Sequence, residues 1–432
     1  MSAGGAIRRL GFTIKDSFFT PAERRILPHL RDIRGIQADP KLGMERARAH
    51  LRDCLDEAVS SSPFYAGYDG KPLEAFPVMN KRLIIGNREK LLSRDYPDPS
   101  YLHTVSTSGS TGTPFAVQQN PGKRARVIAE LKYWADRAGC PSHEKNVYFR
   151  AHSRPSRLSM FLTNVRQMAV LDFTFERLAA LHAAQRNALC VSAYASMIDV
   201  LIGKWKELGL SGSRSVRTVL TGAEFLLPQG RKAARDFWPN ARVFSRYSNN
   251  ENGILAQEDG TPDVFVLCWA SYWFEILKFD SDEPAAPGEI GRIVVTDMFN
   301  RALPMIRYDT GDAGRIVTGP DGWPRLVDLM GRRTDFLYDT KGDFVFSPCL
   351  VPILQDLPAL VQWQIVQESA KSYRFVLLSE DESATESGFI VRLPAIRKVF
   401  GPDADVQMTF VDEIPCLDSR KRKRFVQKWK ST

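Results

Sequence analysis

The sequence predicts an α/β protein with a large layered N-terminal domain and a small, mobile α+β C-terminal domain. Short apolar runs alternate with helical patterns between about residues 115 and 245, as is typical of α/β layers. The pattern then changes to closely spaced strands between residues 264 and 317. A chain of 432 residues is also too long for one ordinary hydrophobic core, which indicates at least two domains.

The individual elements follow from these patterns in chain order. Residues 44–58 are rich in Ala, Leu, Arg and Glu and predict a helix near the N-terminus. Apolar runs at residues 187–191 and 216–220 predict buried strands, and residues 196–208 between them predict a helix. Three further strands are predicted at residues 264–267, 274–277 and 292–296.

The domain boundary is predicted after a stretch that contains glycine and proline at residues 319–324. The N-terminal domain then comprises residues 1–330 and the C-terminal domain comprises residues 331–432. No internal repeat or low-complexity tract interrupts either domain.

Composition argues against several classes of protein. The net charge is +9, but the basic excess is concentrated in residues 420–424 without interleaved aromatic residues, so no nucleic-acid partner is expected. No run of about 18 apolar residues exists and the N-terminus lacks the apolar core of a signal peptide, so we expect a cytoplasmic protein without a membrane span. The six cysteines are widely spaced without a CxxC pair, which predicts buried, reduced thiols.

The sharpest local feature is the segment STSGSTGTP at residues 106–114. Its glycines allow successive backbone N–H groups to converge on an anion, and its hydroxyl groups add donors, so the segment suits a phosphate chain. The glycine spacing fits neither the Walker pattern nor a GxSxG nucleophile turn. Taken alone, the segment is also compatible with a surface turn rich in serine and threonine.

Six segments in order resemble the motifs of the adenylate-forming superfamily, which includes acyl-CoA synthetases, luciferases and peptide-synthetase adenylation domains. They are residues 106–114, 221–224 (TGAE), 247–251 (YSNNE), 307–312 (RYDTGD), 331–335 (GRRTD) and 419–424 (SRKRKR). Within that superfamily, three more segments resemble the branch of phenylacetate-CoA ligases and capsular-polysaccharide-type ligases. These are residues 61–65 (SSPFY), 76–81 (FPVMNK) and 300–308 (NRALPMIRY).

The resemblance implies which residues bind the nucleotide and its metal. Glu251 would be the ligand of Mg²⁺, Tyr247 would offer its ring to adenine, and Asp312 would accept hydrogen bonds from the ribose hydroxyls. Arg332 would contact the nucleotide or the seam between the domains. The full set implied for cofactor binding is Ser108, Gly109, Ser110, Thr111, Gly112, Thr113, Gly222, Ala223, Glu224, Tyr247, Ser248, Asn249, Asn250 and Asp312.

The catalytic residues implied by the resemblance are Lys421, Glu251 and Arg332. Lys421 would bring a positive charge to the oxygen that leaves the α-phosphorus of ATP. The basic run also permits Lys423 in this role, and a solvated basic tail is the alternative to both. A pivot near residues 333–335 would carry the lysine into the site for one reaction and out of it for the next.

The implied activity is that of an AMP-forming ligase that activates a carboxylic acid with ATP, releases pyrophosphate and transfers the acyl group to coenzyme A. The implied cofactors are therefore ATP, Mg²⁺ and coenzyme A. A ligase that forms amides or esters without coenzyme A, or a non-catalytic nucleotide-binding relative, are the alternatives. The partners are a small carboxylate and an acyl acceptor; the carboxylate, the acceptor and the oligomeric state, including a homodimer, are left open.

Overall fold

A computed structural model describes residues 2–107, 115–150, 156–170, 173–331, 337–345, 350, 353–354, 357–414 and 424–429. Its backbone contacts divide the chain into two compact units. The larger unit contains residues 1–310 and 314–329, and the smaller unit contains residues 311–313 and 330–432. Each unit has its own hydrophobic core and is described separately below.

The larger unit contains ten of the described α-helices and the first thirteen strands. The helices are α1 (Ala3–Ile14), α2 (Leu27–Ile36), α3 (Pro40–Ser61), α4 (Lys81–Gly86), α5 (Arg88–Leu91), α6 (Pro121–Arg137), α7 (Arg157–Thr163), α8 (Phe175–Ala184), α9 (Ala195–Glu207) and α10 (Pro228–Phe237). The strands are β1 (His103–Thr107), β2 (Phe115–Gln119), β3 (Asn146–Arg150), β4 (Val165–Ala169), β5 (Cys190–Tyr194), β6 (Thr218–Gly222), β7 (Arg242–Asn249), β8 (Gly253–Glu258), β9 (Phe265–Leu267), β10 (Tyr272–Leu277), β11 (Gly291–Asp297), β12 (Tyr308–Thr318) and β13 (Pro324–Met330).

An eleven-stranded mixed sheet forms the centre of this unit, in the order β10-β11-β12-β13-β9-β8-β7-β6-β5-β3-β4. Strands β4, β3, β5, β6 and β7 are parallel, and β8 then pairs antiparallel with β7. Helices α7 to α10 connect the successive parallel strands, as a doubly wound arrangement requires. The carboxyl ends of these strands therefore meet at one edge of the sheet, where ligands commonly bind in such folds.

Strands β5, β6 and β7 carry hydrophobic clusters on both faces. One face packs against α8, α9 and α10 through a cluster that includes Phe149, Trp205 and Trp238, all fully buried. The opposite face carries a smaller cluster with Cys190 and Phe244. Because successive residues of a strand point to opposite faces, the even-numbered residues of β7 lie on the face that carries Phe244.

The antiparallel strands surround a third cluster together with α2 and α3, and this is the largest of the three clusters. Helix α3 begins at Pro40, and the side chain of Asp39 caps it by accepting a hydrogen bond from the N–H of Leu42 at 2.8 Å. Strands β1 and β2 form a separate antiparallel hairpin in which Thr107 pairs with Phe115.

The smaller unit is an α+β structure. It contains strands β14 (Leu337–Tyr338), β15 (Phe344–Val345), β16 (Leu360–Gln367), β17 (Ser372–Ser379), β18 (Asp405–Phe410) and β19 (Phe425–Gln427), and helix α11 (Glu382–Phe400). Four of these strands form one sheet in the order β18-β17-β16-β19. Phe389 of α11 packs on Phe375 of β17, with ring centroids 5.1 Å apart.

The predicted fold class, a large layered α/β structure followed by a smaller α+β structure, is confirmed. Among the residues that the structure describes, Cys54, Cys140, Cys190 and Cys268 are buried free thiols, whereas Cys349 and Cys416 lie outside them. No helix in the described ranges is long and apolar enough to cross a membrane.

Candidate active site

Glu251 lies in a tightly held turn between strands β7 and β8. The side chain of Asn249 accepts a hydrogen bond from the N–H of Asn252 at 2.8 Å, which closes the turn, and Gln119 donates to the carbonyl of Glu251 at 3.3 Å. Gly253 follows in a left-handed conformation (φ 134°), and a Cβ at this position would lie 2.7 Å from the hydroxyl oxygen of Tyr272. Contacts with Asn249, Gln119 and Tyr272 therefore fix the turn and the position of the Glu251 backbone.

Glu251 is only 4% exposed, so its carboxylate is not a solvated surface group. Its Oε1 accepts a hydrogen bond from the hydroxyl of Tyr308 at 2.8 Å and lies 3.2 Å from the Nζ of Lys81. A buried carboxylate needs such partners, because burial without them carries a large desolvation cost. Lys81 and Tyr308 therefore form a polar cluster with Glu251.

The hairpin that flanks the predicted phosphate loop reaches this cluster. Asn250, beside Glu251, donates from its Nδ2 to the carbonyl of Ser106 in β1 at 3.3 Å. On β2, the ring of Phe115 is stacked on that of Tyr308, with centroids 6.4 Å apart, and the Nζ of Lys81 lies 5.6 Å from the centre of the Phe115 ring. Both ends of the predicted loop are thus anchored next to the Glu251 carboxylate.

Gly222, Ala223 and Glu224 end strand β6 beside strand β7, where Gly222 pairs with Arg246. Ala223 has a left-handed backbone (φ 67°), which is uncommon for a residue with a side chain and turns the chain sharply away from the sheet. One carboxylate oxygen of Glu224 accepts a hydrogen bond from the N–H of Ser196 at 3.0 Å, and so caps the N-terminus of α9. This segment therefore lies at the same edge of the sheet as the Glu251 turn.

The other predicted residues on described strands lie in the same part of the sheet or on β12. Tyr247 and Ser248 precede the Glu251 turn in β7 and are partly buried, and the pairing with β8 is irregular between them. Asp312 lies in β12, four residues after Tyr308. Arg307 belongs to the same motif, and it is buried with its guanidinium 3.0 Å from Glu275. This ion pair stabilises the fold.

Several predicted residues lie outside the described part of the chain, so their positions remain predictions. They are Ser108, Gly109, Ser110, Thr111, Gly112, Thr113, Arg332, Lys421 and the alternative Lys423.

The face of the sheet that carries Phe244 also carries polar and aromatic side chains that are only partly buried. Tyr148, Tyr194 and Arg246 contribute to this face from β3, β5 and β7. Arg246 donates to the Oε1 of Gln257 at 2.8 and 3.0 Å, and no described carboxylate lies within ion-pair distance of its guanidinium. Burial lowers the pKa of Arg246 to about 10, so the side chain is still charged at neutral pH. This face therefore carries a cation for which the described residues supply no carboxylate partner.

Proximity along the chain also suggests Phe149, Phe225 and Leu226 as residues of a substrate pocket, but the structure corrects this for two of them. Phe149 and Leu226 are buried in the core beneath helices α8 to α10. Adjacent residues of a strand face opposite ways. Phe149 therefore points away from the face that carries its neighbour Tyr148 and Arg246.

Among the residues that the structure describes, Glu251 is the best candidate for a magnesium ligand. The described residues contain no group of three or more His, Cys, Asp or Glu side chains that could hold a metal. Mg²⁺ is commonly held by one or two carboxylates together with phosphate oxygens and water, so a single buried carboxylate fits this chemistry. The ammonium of Lys81, at 3.2 Å from the Oε1 of Glu251, would compete with the ion for this oxygen.

Sequence reasoning missed two members of this cluster. Tyr308 was assigned no role although it lies inside a recognised motif, and Lys81 ends the recognised segment at residues 76–81. An isolated bridge joins Met79 to Tyr308, with the N–H of Met79 donating to the carbonyl of Arg307 at 2.8 Å. Both residues lie in segments that resemble the family's motifs, and this resemblance is the signal that could have identified them.

No family profile matches the chain. It is 20% identical over 375 residues to the protein CapK of Staphylococcus aureus, a match that covers 81% of this chain and 79% of that protein. It is 33% identical over 79 residues to the phenylacetate-coenzyme A ligase of Escherichia coli (strain K12), a match that spans 18% of each protein.

The fold is similar to that of solved acyl-CoA ligases. A structure of 2-hydroxyisobutyryl-CoA ligase in the postadenylation state superposes with a TM-score of 0.72 at 16% identity, over 90% of both chains. ATP-bound MatB from Rhodopseudomonas palustris superposes with a TM-score of 0.54 at 16% identity, over 74% of this chain and 66% of that one. The fold implied by the resemblance is confirmed, and the chain has the fold of these solved structures.

Proposed function

We propose that the chain is an ATP-dependent, AMP-forming carboxylate ligase. In the first reaction, a carboxylate oxygen of the substrate attacks the α-phosphorus of ATP, and the bond from that phosphorus to the bridging oxygen breaks to release pyrophosphate. In the second, the thiol of coenzyme A attacks the acyl carbonyl and AMP leaves. The observation that carries the proposal is the convergence of Glu251, Lys81 and Tyr308 with both ends of the predicted phosphate loop.

The chain's own residues act mainly by position and charge, as expected for transfer at phosphorus. Glu251 would hold Mg²⁺, which would neutralise charge on the phosphate oxygens. Tyr308 orients the Glu251 carboxylate through its hydroxyl, and Lys81 adds a positive charge beside it. Tyr247, Asp312 and the backbone at Gly222 to Glu224 are the proposed contacts of the nucleoside, and Lys421 is the proposed cation at the bridging oxygen.

The choice of coenzyme A as acceptor rests on the solved relatives. The structures of 2-hydroxyisobutyryl-CoA ligase include one with an acyl-AMP and coenzyme A in the thioesterification state. An amine or hydroxyl acceptor is the second candidate. Because ATP and coenzyme A are the proposed substrates, we also propose that the enzyme works in the cytoplasm.

The products of a single incubation separate these possibilities. The purified protein is mixed with ATP, Mg²⁺ and a panel of carboxylic acids, with and without coenzyme A, and the products are identified by mass spectrometry. The proposal expects an acyl-AMP without coenzyme A and an acyl-CoA with it. An acyl-AMP that persists unchanged in the presence of coenzyme A would exclude coenzyme A as acceptor but keep the ligase. The absence of acyl-AMP with every acid would contradict the ligase itself.

The face of the sheet that carries Tyr148, Tyr194 and Arg246 is the proposed site of the carboxylic acid, and Arg246 is the residue placed to bind its carboxylate. A partly buried guanidinium that has no carboxylate partner among the described residues is costly unless a ligand supplies the anion. Because a hydrogen bond to a charged group is among the stronger interactions in proteins, its loss should affect binding of the acid directly.

Replacement of Arg246 by Met is therefore expected to raise KM for the carboxylic acid roughly tenfold to a hundredfold, and to leave KM for ATP nearly unchanged. Steady-state kinetics with each substrate varied in turn measures the effect. Arg242→Met is the matched control, since Arg242 lies on the same face of β7 but is exposed. A change confined to KM for ATP would contradict this assignment.

Replacement of Lys81 by Met is expected to lower the Mg²⁺ concentration needed for half-maximal activity, by up to about fivefold. The physical reason is that the ammonium competes with the metal for Oε1 of Glu251, and its side chain is 37% exposed, which limits the size of the effect. The control is Lys90→Met, which removes the same charge from an exposed position in α5. A higher Mg²⁺ requirement in the Lys81 variant would show that the lysine assists the metal rather than competing with it.

A further inference from the structure

Helix α1 carries an apolar stripe on its solvent side. Ile7, Leu10 and Ile14 recur at the spacing of one helical face and are 44–72% exposed. Phe18 and Phe19 extend the stripe through a π-helical turn, Lys15–Phe19, and are 76% and 77% exposed. An amphipathic helix normally buries its apolar face, so this helix presents outward the side that usually faces inward.

The opposite side of α1 is fixed to the larger unit. The carboxylate of Glu144 accepts hydrogen bonds from the backbone N–H and the hydroxyl of Ser2 at 2.7 and 2.8 Å. One turn later Gly5 is buried, and the ring of Phe12 lies 5.4 Å from that of His143. The apolar stripe is therefore held in an outward orientation by specific contacts on the other side of the helix.

Helix α7 continues the same surface. Leu158, Phe161 and Leu162 are 48–66% exposed. Arg8 of α1 joins the two helices, because its Nε donates to the carbonyl of Phe161 at 3.1 Å and its guanidinium lies 5.3 Å from the centre of the Phe161 ring. The eight side chains of this N-terminal apolar surface are Ile7, Leu10, Ile14, Phe18, Phe19, Leu158, Phe161 and Leu162.

The charges around the N-terminal apolar surface are positive. Lys15 and Arg157 are exposed at its edges, and Arg166 is exposed on the strand that follows α7. Within the described residues 2–20 and 156–170, the single acidic residue is Asp16, which is buried. Its carboxylate accepts hydrogen bonds from the backbone N–H groups of Ile26 and Leu27, so it does not offset the surface charge.

We propose that the N-terminal apolar surface binds the face of an anionic phospholipid bilayer. A helix with aromatic and aliphatic side chains on one side and basic residues beside them is the pattern of proteins that lie in the membrane interface. The apolar side chains would enter the boundary between headgroups and acyl chains, and Lys15, Arg157 and Arg166 would meet the lipid phosphates. Such a protein lies on the membrane without crossing it.

The charge pattern favours a bilayer over a second copy of the chain. Two copies joined by this surface about a twofold axis would bring basic edges towards each other, without acidic residues from the described parts of the surface to pair with them. An anionic bilayer instead provides both an apolar interior for the exposed side chains and negative charge for the basic rim.

Cosedimentation of the full chain with lipid vesicles tests the proposal. We expect binding to vesicles of mixed phosphatidylcholine and phosphatidylglycerol, weaker binding to pure phosphatidylcholine, and weaker binding to the anionic vesicles when salt is raised from about 0.1 M to about 1 M. The variant Leu10→Ser/Phe18→Ser should bind at least roughly tenfold more weakly, because each buried apolar side chain contributes about that factor.

The matched control is Ile390→Ser/Val391→Ser, which removes apolar side chains that are 56% and 76% exposed on α11 of the smaller unit. It should bind vesicles like the unchanged protein, and thermal melting should show that both variants are folded. Equal binding by the Leu10/Phe18 variant and the unchanged protein would overturn the proposal. Absence of vesicle binding would also overturn the proposal, whether the protein is a monomer or a dimer. If the protein is a dimer that the Leu10/Phe18 variant abolishes, the surface belongs to a second copy of the chain.

Discussion

Replacement of Glu251 by Gln is expected to lower kcat/KM for carboxylate-dependent pyrophosphate release by a factor of about 10²–10³. Glutamine has nearly the same shape and keeps an oxygen that accepts the Tyr308 hydroxyl, but it removes the negative charge that faces Lys81 and the proposed Mg²⁺. Folding should change much less than turnover. Pyrophosphate release over a series of Mg²⁺ concentrations, together with a thermal melt, measures both.

Two control variants separate the effect of the Glu251 charge from the effects of its hydrogen bond and of its burial. Tyr308→Phe keeps the carboxylate and removes one hydrogen bond, so it should cost about tenfold or less in turnover. Glu258→Gln alters another buried carboxylate, which is paired with Arg231 at 2.7 Å, and should lower stability without changing the Mg²⁺ dependence. Full activity of the Glu251 variant at limiting Mg²⁺ would show that the metal is held elsewhere.

Replacement of Lys421 by Ala is expected to lower the rate of acyl-AMP formation by a factor of about 10²–10³. We propose, from the basic run in the sequence and its resemblance to the superfamily's terminal motif, that this lysine stabilises charge on the leaving oxygen only in the first reaction. Acyl transfer from chemically supplied acyl-AMP should therefore be much less affected. The two half-reactions are measured separately on the same preparation.

The identity of the lysine is tested with Lys423→Ala in parallel. If only the Lys423 variant loses adenylation, the role belongs to that residue and the mechanism is unchanged. A solvated basic tail predicts near-normal rates in both half-reactions for both variants. Equal loss of both half-reactions in the Lys421 variant would contradict a lysine that leaves the site between the two steps.

Patterns that are local in the chain were enough to predict the fold class, whereas the segments of the candidate site came from resemblance to the superfamily's motifs. The helix predicted at residues 44–58 lies within α3, and the strand predicted at residues 292–296 lies within β11, because each has a continuous periodic pattern. The segment at residues 247–251 is different, because only its resemblance to the superfamily's aromatic-Gly-x-Thr-Glu motif pointed to it.

Contacts between distant segments could not be predicted in this way. Lys81 and Glu251 are 170 residues apart, and their ion pair depends on the bridge between Met79 and Tyr308. The face on which a strand residue lies also depends on register. Tyr148 lies on the face that carries Arg246, whereas its neighbour Phe149 is in the core. The apolar stripe of α1 has the periodicity of a buried helix face, and only the fold shows that it points outward.

Carboxylate-dependent exchange of labelled pyrophosphate into ATP tests the central claim most directly, because it requires reversible formation of an acyl-AMP and no acceptor. We predict exchange that depends on Mg²⁺, that appears with a subset of carboxylic acids, and that falls by about 10²–10³ in the Glu251→Gln variant. A protein that binds ATP but shows no exchange with any acid would contradict the account, and would identify the chain as a non-catalytic relative of the ligases whose fold it has.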